Sequence, residues 1–137
     1  MFGNKNKPNK PQNRIDCLIG AGTEIKGDMT FDGGLRVDGC VHGNVISVDG
    51  KPGTLVLSEA ARIEGEIRVS HVVINGTVVG PVYAADYVEL QSKANVTGDV
   101  YYRTLEMHLG AVVQGRLVYQ NEAKTDKVVQ FKPASAD

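Results

Sequence analysis

The chain has no tryptophan, only two cysteines in 137 residues, and aromatics at 6% of the total. Cys17 and Cys40, 23 residues apart, are too few for a disulfide framework and fit a reducing compartment, where they read as small buried or strand residues. No run approaches the roughly 18–20 uninterrupted apolar residues that a membrane-crossing helix needs. The first 30 residues contain no apolar segment of the signal-peptide type, so the expectation is a cytoplasmic protein. Nowhere does a 3.6-residue apolar period appear, and 16 glycines weigh further against helices. Neither a lysine with Ser/Thr after a glycine-rich loop nor a GxGxxG opening a helix is present, which excludes the usual nucleotide cradles.

What is present is valine, isoleucine and glycine in a chain of 42% apolar residues, long enough for one core. The net charge of −1 divides unevenly. Lys5, Lys7, Lys10 and Arg14 give residues 1–14 a charge of +4, leaving −5 for the rest. Residues 1–14, MFGNKNKPNKPQNR, have no apolar periodicity and read as a flexible basic arm. Residues 121–137 read as a second flexible tail, with balanced charges around Val128, Val129 and Phe131.

Between the tails lies an internal repeat. Its anchors are Gly27, Gly43, Gly65, Gly80, Gly98 and Gly115. Two residues before each stand Ile25, Val41, Ile63, Val78, Val96 and Val113. Two after each stand Met29, Val45, Ile67, Val82, Val100 and Leu117. Four before each is a small residue: Thr23, Gly39, Ala61, Gly76, Ala94 or Ala111. A period of two means strands with one buried face, and recurrent small residues mark corners or close backbone approach.

Anchor spacings run 16, 22, 15, 18 and 17. Four copies carry an apolar pair ten and eight residues before the anchor: Cys17/Ile19, Leu55/Leu57, Val88/Leu90 and Leu105/Met107. In the other two, Leu35/Val37 and Val72/Ile74, the pair is eight and six before it, which predicts a corner two residues tighter. VDGKPG, within the 22-residue gap, predicts an outer excursion.

Such a unit cannot close a core alone but buries one when stacked. Six units at about 4.8 Å per layer predict a parallel β-helix some 29 Å long over residues 15–120, right-handed by the general rule for parallel crossovers. The competing fold is the left-handed hexapeptide β-helix of acyltransferases, which demands an apolar residue every six positions; the anchors here are not six-periodic. No cap is legible at either end of the stack. Bare ends, with about four apolar side chains worth roughly 1.5–3 kcal/mol each on burial, predict end-to-end self-assembly. Ile19 and Ile25 would carry the contact at the first layer, and Leu109, Val113 and Leu117 at the last.

The motifs IKGDM, VHGNV, IEGEI, VVGPV, VTGDV and VQGRL, with short polar flanks, resemble those of the bactofilins. The resemblance implies a β-helix of triangular section, joined end to end into nonpolar filaments without nucleotide, and roles in cell shape, cell-wall growth and scaffolding of partner enzymes. It places the polymer contact in the last coil at Val113, where several family members have an aromatic. It also makes MFGNKNK a membrane-targeting stretch, with Met1, Phe2, Lys5 and Lys7 against lipid on the inner face of the cytoplasmic membrane. Burial of Phe2 with Met1 would give roughly 2–4 kcal/mol, and each lysine near an anionic leaflet about 1 kcal/mol. That is marginal for one arm and ample for a filament bearing many. Glycine at position 3 rather than 2 argues against myristoylation.

No catalytic, cofactor or metal site is expected. Cys40 and His42 share an outward face, but zinc would need another ligand that the local spacing does not supply; His71 and His108 fall in other layers. Glu64 and Glu66 read as a solvated charged face. Neither a Ser-His-Asp nor a Cys-His arrangement can be argued from residue order. The leading expectation is thus a homopolymer with membrane and scaffold partners and no small-molecule substrate. An acyltransferase-like enzyme and a nucleic-acid binder using the basic arm are the alternatives, the latter weakened because no aromatic interleaves the four charges.

Overall fold

The computed structural model describes residues 14–49 and 51–121. The described residues form sixteen strands and no helix. The chain winds through six coils. The first comprises β1 (Cys17–Ile19), β2 (Glu24–Lys26) and β3 (Met29–Phe31), and the second β4 (Gly33–Val37), β5 (Cys40–His42) and β6 (Val45–Ser47). The third begins with β7 (Gly53–Leu57) and β8 (Arg62–Glu64) and enters β9 (Ile67–Ile74). The fourth leaves β9 through β10 (Thr77–Val79) into β11 (Val82–Leu90). The fifth continues through β12 (Asn95–Thr97) and β13 (Val100–Tyr102), and the sixth has β14 (Thr104–Met107), β15 (Val112–Gln114) and β16 (Leu117–Tyr119).

Every pairing is parallel and joins neighbouring coils, so three ladders run along the stack. β9 and β11 pass without a break from the third ladder into the first, with a register irregularity between Ala84 and Tyr87. The columns of the sequence alignment are rows of these ladders. Ile25, Val41, Ile63, Val78, Val96 and Val113 lie in register in the second. Met29, Val45, Ile67, Val82, Val100 and Leu117 lie in register in the third. With Leu35, Val37, Leu55, Leu57, Val72, Ile74, Val88 and Leu90 from the first ladder, they fill the column, and in the four middle coils all of these side chains are fully buried.

Two kinds of corner let the chain turn. From the first ladder to the second, four coils use a turn closed by a backbone hydrogen bond, such as Ala61 N–H to Ser58 O at 3.0 Å and Ala94 N–H to Gln91 O at 2.9 Å. The two tighter coils omit it at Gly39 and Gly76, where a Cβ would run into the carbonyl oxygens of Thr23 and of Ser58. The anchor glycines form the next corner, each stacked on the one before. A methyl on Gly65 would meet the carbonyl of Gly43, and one on Gly98 that of Gly80; Gly98 also has a φ of +144°. The predicted excursion is observed between β6 and β7, with Lys51 N–H bonded to Val48 O at 3.1 Å.

Candidate functional site

The ends of the stack differ from its middle because a terminal strand has a partner on one side only. β1, β2 and β3 pair with β4, β5 and β6, and β14, β15 and β16 with β11, β12 and β13. Inner side chains lose cover accordingly. In the last coil Leu105 and Val113 are partly exposed, Met107 is 44% exposed, Leu117 41% and Tyr119 62%. In the first, Ile25, Met29 and Phe31 are half-buried, whereas Ile19 is only 8% exposed. No helix among the described residues crosses either end.

Of the residues predicted for the contact, Ile25 stands in the inner row of the first coil and Val113 and Leu117 in that of the last. Ile19 is inner but buried, its strand lying against β4. Leu109, 95% exposed, stands in the corner turn between β14 and β15, beside the inner row rather than in it. Met107 and Tyr119 complete the exposed rim. Met1, Phe2, Lys5 and Lys7 lie outside the described residues, as does the patch of Val128, Val129 and Phe131.

Polar groups secure both terminal coils. Asp16 accepts the Gly34 N–H at 2.8 Å and Arg14 Nε at 2.8 Å. The backbone donor first and the arginine second hold its carboxyl below the usual range. At the other end the Arg116 side chain, 3.0 Å from Asp99 Oδ2, and its N–H, 2.9 Å from Asp99 Oδ1, lower that carboxyl likewise. Asp99 occupies the position after an anchor glycine, where Asp28 and Asn44 do the same for the next coil: Asp28 Oδ1 accepts the Asn44 N–H and Asn44 Oδ1 the Glu66 N–H. Inter-coil capping was missed in the sequence, although its signal, Asp or Asn after the glycine in GDM, GNV and GDV, stands in the motifs.

The outward surface carries three further groups. Arg68 lies over the Tyr83 ring at 4.1 Å, and Tyr83 stacks on Tyr101 at 4.5 Å between centroids. On the first ladder the Tyr87 hydroxyl donates to Glu106 at 2.8 Å and lies 3.3 Å from Glu89, while His108 Nε2 is 3.1 Å from Glu89. Burial first and the two glutamates next push the Tyr87 hydroxyl well up. His71, facing Tyr87, is pushed down by burial, against the influence of Asp86. On the second ladder Glu24, Cys40 and His42 come together, with Glu64 behind. The third ligand that local spacing does not supply to Cys40 and His42 arrives from the coil below, because Glu24 is in register with Cys40. Either Glu24, Cys40 and His42 or Glu89, Glu106 and His108 could place three ligand atoms within 4.8 Å of one another.

Among the described residues no helix is long and apolar enough to cross a membrane. Residues 17–118 match the family model of bactofilins, described as polymer-forming cytoskeletal. Among characterised proteins, bactofilin BacO of Myxococcus xanthus (strain DK1622) is 28% identical over 102 residues, which cover 74% of this chain and 78% of that one. Bactofilin BacP of the same organism is 27% identical over 102 residues, again 74% of this chain but only 41% of the relative. No solved structure matches the chain.

Proposed function

The chain belongs to the bactofilin family of polymer-forming cytoskeletal proteins, and from that premise we propose that its coils stack end on end between molecules, without nucleotide, into a filament. The observation that carries this reading is the graded exposure of the inner column, closed in the middle coils and open at Met107, Leu117 and Tyr119. Each side chain removed from water there would contribute about 1.5–3 kcal/mol, and each unpaired strand edge offers backbone donors and acceptors to another edge. A contact using one end leaves the other available, which propagates the assembly.

We take the winding as right-handed and the section as triangular, in keeping with the family and with the handedness of parallel crossovers. The role is structural rather than enzymatic. Residues 1–14 would hold the filament to the inner face of the cytoplasmic membrane through Met1, Phe2, Lys5 and Lys7. The outward ladders would then carry clients such as cell-wall enzymes, in the service of cell shape or wall growth. The test is negative-stain microscopy of the purified chain in buffer without nucleotide. Filaments are expected; dispersed rods at every concentration would overturn the reading.

A further inference from the structure

Three side chains on the outward surface of the second ladder converge on one imidazole. Cys40 Sγ lies 3.4 Å from His42 Nε2, and Glu24 Oε2 lies 2.6 Å from the same nitrogen. On the opposite side of the ring, His42 Nδ1 is 3.0 Å from Glu64 Oε1. Glu64 is itself anchored, because Arg62 Nε donates to its other oxygen at 2.6 Å. An imidazole that donates its Nδ1–H to Glu64 presents a lone pair at Nε2. That lone pair faces a carboxylate and a sulfur, an electron-rich cluster that a cation would satisfy.

We propose that Glu24, Cys40 and His42 form a binding site for a divalent, thiophilic cation of the zinc type, with Glu64 as the positioning residue behind His42. Thiolate, imidazole and carboxylate are a zinc ligand set, and a carboxylate on the far ring nitrogen is the usual support for a metal-bound histidine. Tetrahedral zinc at ordinary bond lengths separates its ligand atoms by roughly 3.3–3.6 Å. Cys40 and His42 already meet that spacing. Glu24 must swing outward by less than about 1 Å to do so, and its side chain, 53% exposed, has room to move.

A fourth position faces solvent, beside an open groove lined by Ala21, Gly22, Thr23, Asp38, Gly39 and Ala60. On binding, the Cys40 thiol gives its proton to water and coordinates as thiolate, with no change in oxidation state. The cluster of Glu89, Glu106 and His108 is the weaker candidate: it lacks sulfur, and Tyr87 and Gln91 already bond both Glu89 oxygens and one of Glu106. Because Glu24 belongs to the first coil and Cys40 and His42 to the second, the cation would tie the end coil to its neighbour. None of these residues lies in the inner column, so the site stands or falls separately from assembly.

The test titrates Co2+ into the full chain after chelator and reductant treatment. One Co2+ per chain is expected, with a thiolate-to-cobalt charge-transfer band that Zn2+ abolishes by displacement. Cys40→Ser and His42→Ala should lose the band and Cys17→Ser keep it, while Glu64→Gln weakens affinity about 10–100-fold. Circular dichroism verifies that each variant retains its strands. In the unmutated chain, Zn2+ should slow alkylation of Cys40 but not of Cys17, as mapped by mass spectrometry. Absence of the band, its survival in Cys40→Ser, or equal alkylation of Cys40 with and without Zn2+ would overturn the site.

Discussion

At the scale of single residues the corners are the least forgiving positions. The Gly98 Cβ direction points at the Gly80 carbonyl, and its backbone occupies a region that side chains avoid. Gly98→Ala should therefore destabilise the chain by about 1–3 kcal/mol, read as a lower midpoint in denaturant. Asp99 supports the last coil by a different force. Its folded pKa lies below 3.8, so its contribution is complete above the unfolded value and disappears as pH falls through the folded one. Asp99→Asn should flatten the stability profile below pH 3.8 and change its shape little near neutrality, followed by circular dichroism across an acid titration. The glycine corners were legible in the sequence because a missing side chain recurs at a fixed place. Asp99 was not singled out, since a carboxylate acquires its meaning only when the register shows which N–H lies above it.

At the scale of strands, the alignment columns turned out to be physical rows because every ladder is parallel and in register. The shared inner apolar residue therefore fixed the fold from the sequence. The outward columns of the same alignment carry more than the Cys40/His42 pair that a single copy shows. Three before the anchors they read Glu24, Cys40, Arg62, and one before them Lys26, His42, Glu64, which already juxtaposes the acid, thiol and imidazole. Leu109, expected at the last layer with Val113 and Leu117, is carried by the long corner to a place beside the inner row. Depth in the stack should set the cost of truncation. Ile63→Ala, wholly buried in the third coil, should cost about 2–5 kcal/mol. Leu117→Ala, already 41% exposed, should cost well under half as much when both are measured by chemical denaturation of dispersed molecules.

At the scale of the whole molecule the two tests concern assembly and attachment. Val113→Arg puts a charge in the inner row of the terminal coil, where a second molecule would have to desolvate it without a partner. Assemblies should dissociate to single rods in sedimentation velocity while the strand content persists. Deletion of Met1 to Lys7 should release the protein into the supernatant when membranes are pelleted; continued co-pelleting would remove the arm from the attachment reading. Neither attachment nor clients could be read from the repeat, because both depend on side chains outside the buried column.

Among the described residues the strands of each coil pair only with those of adjacent coils. Among the described residues no strand of the first coil pairs with a strand of the last, so no such pairing locks the stack against traction along its chain. Drawn out from its two ends, the stack would unspool like thread from a bobbin, one turn per step. Each step would release the 15–22 residues of that turn, and every remaining turn would keep its own grip until its edge became the outermost.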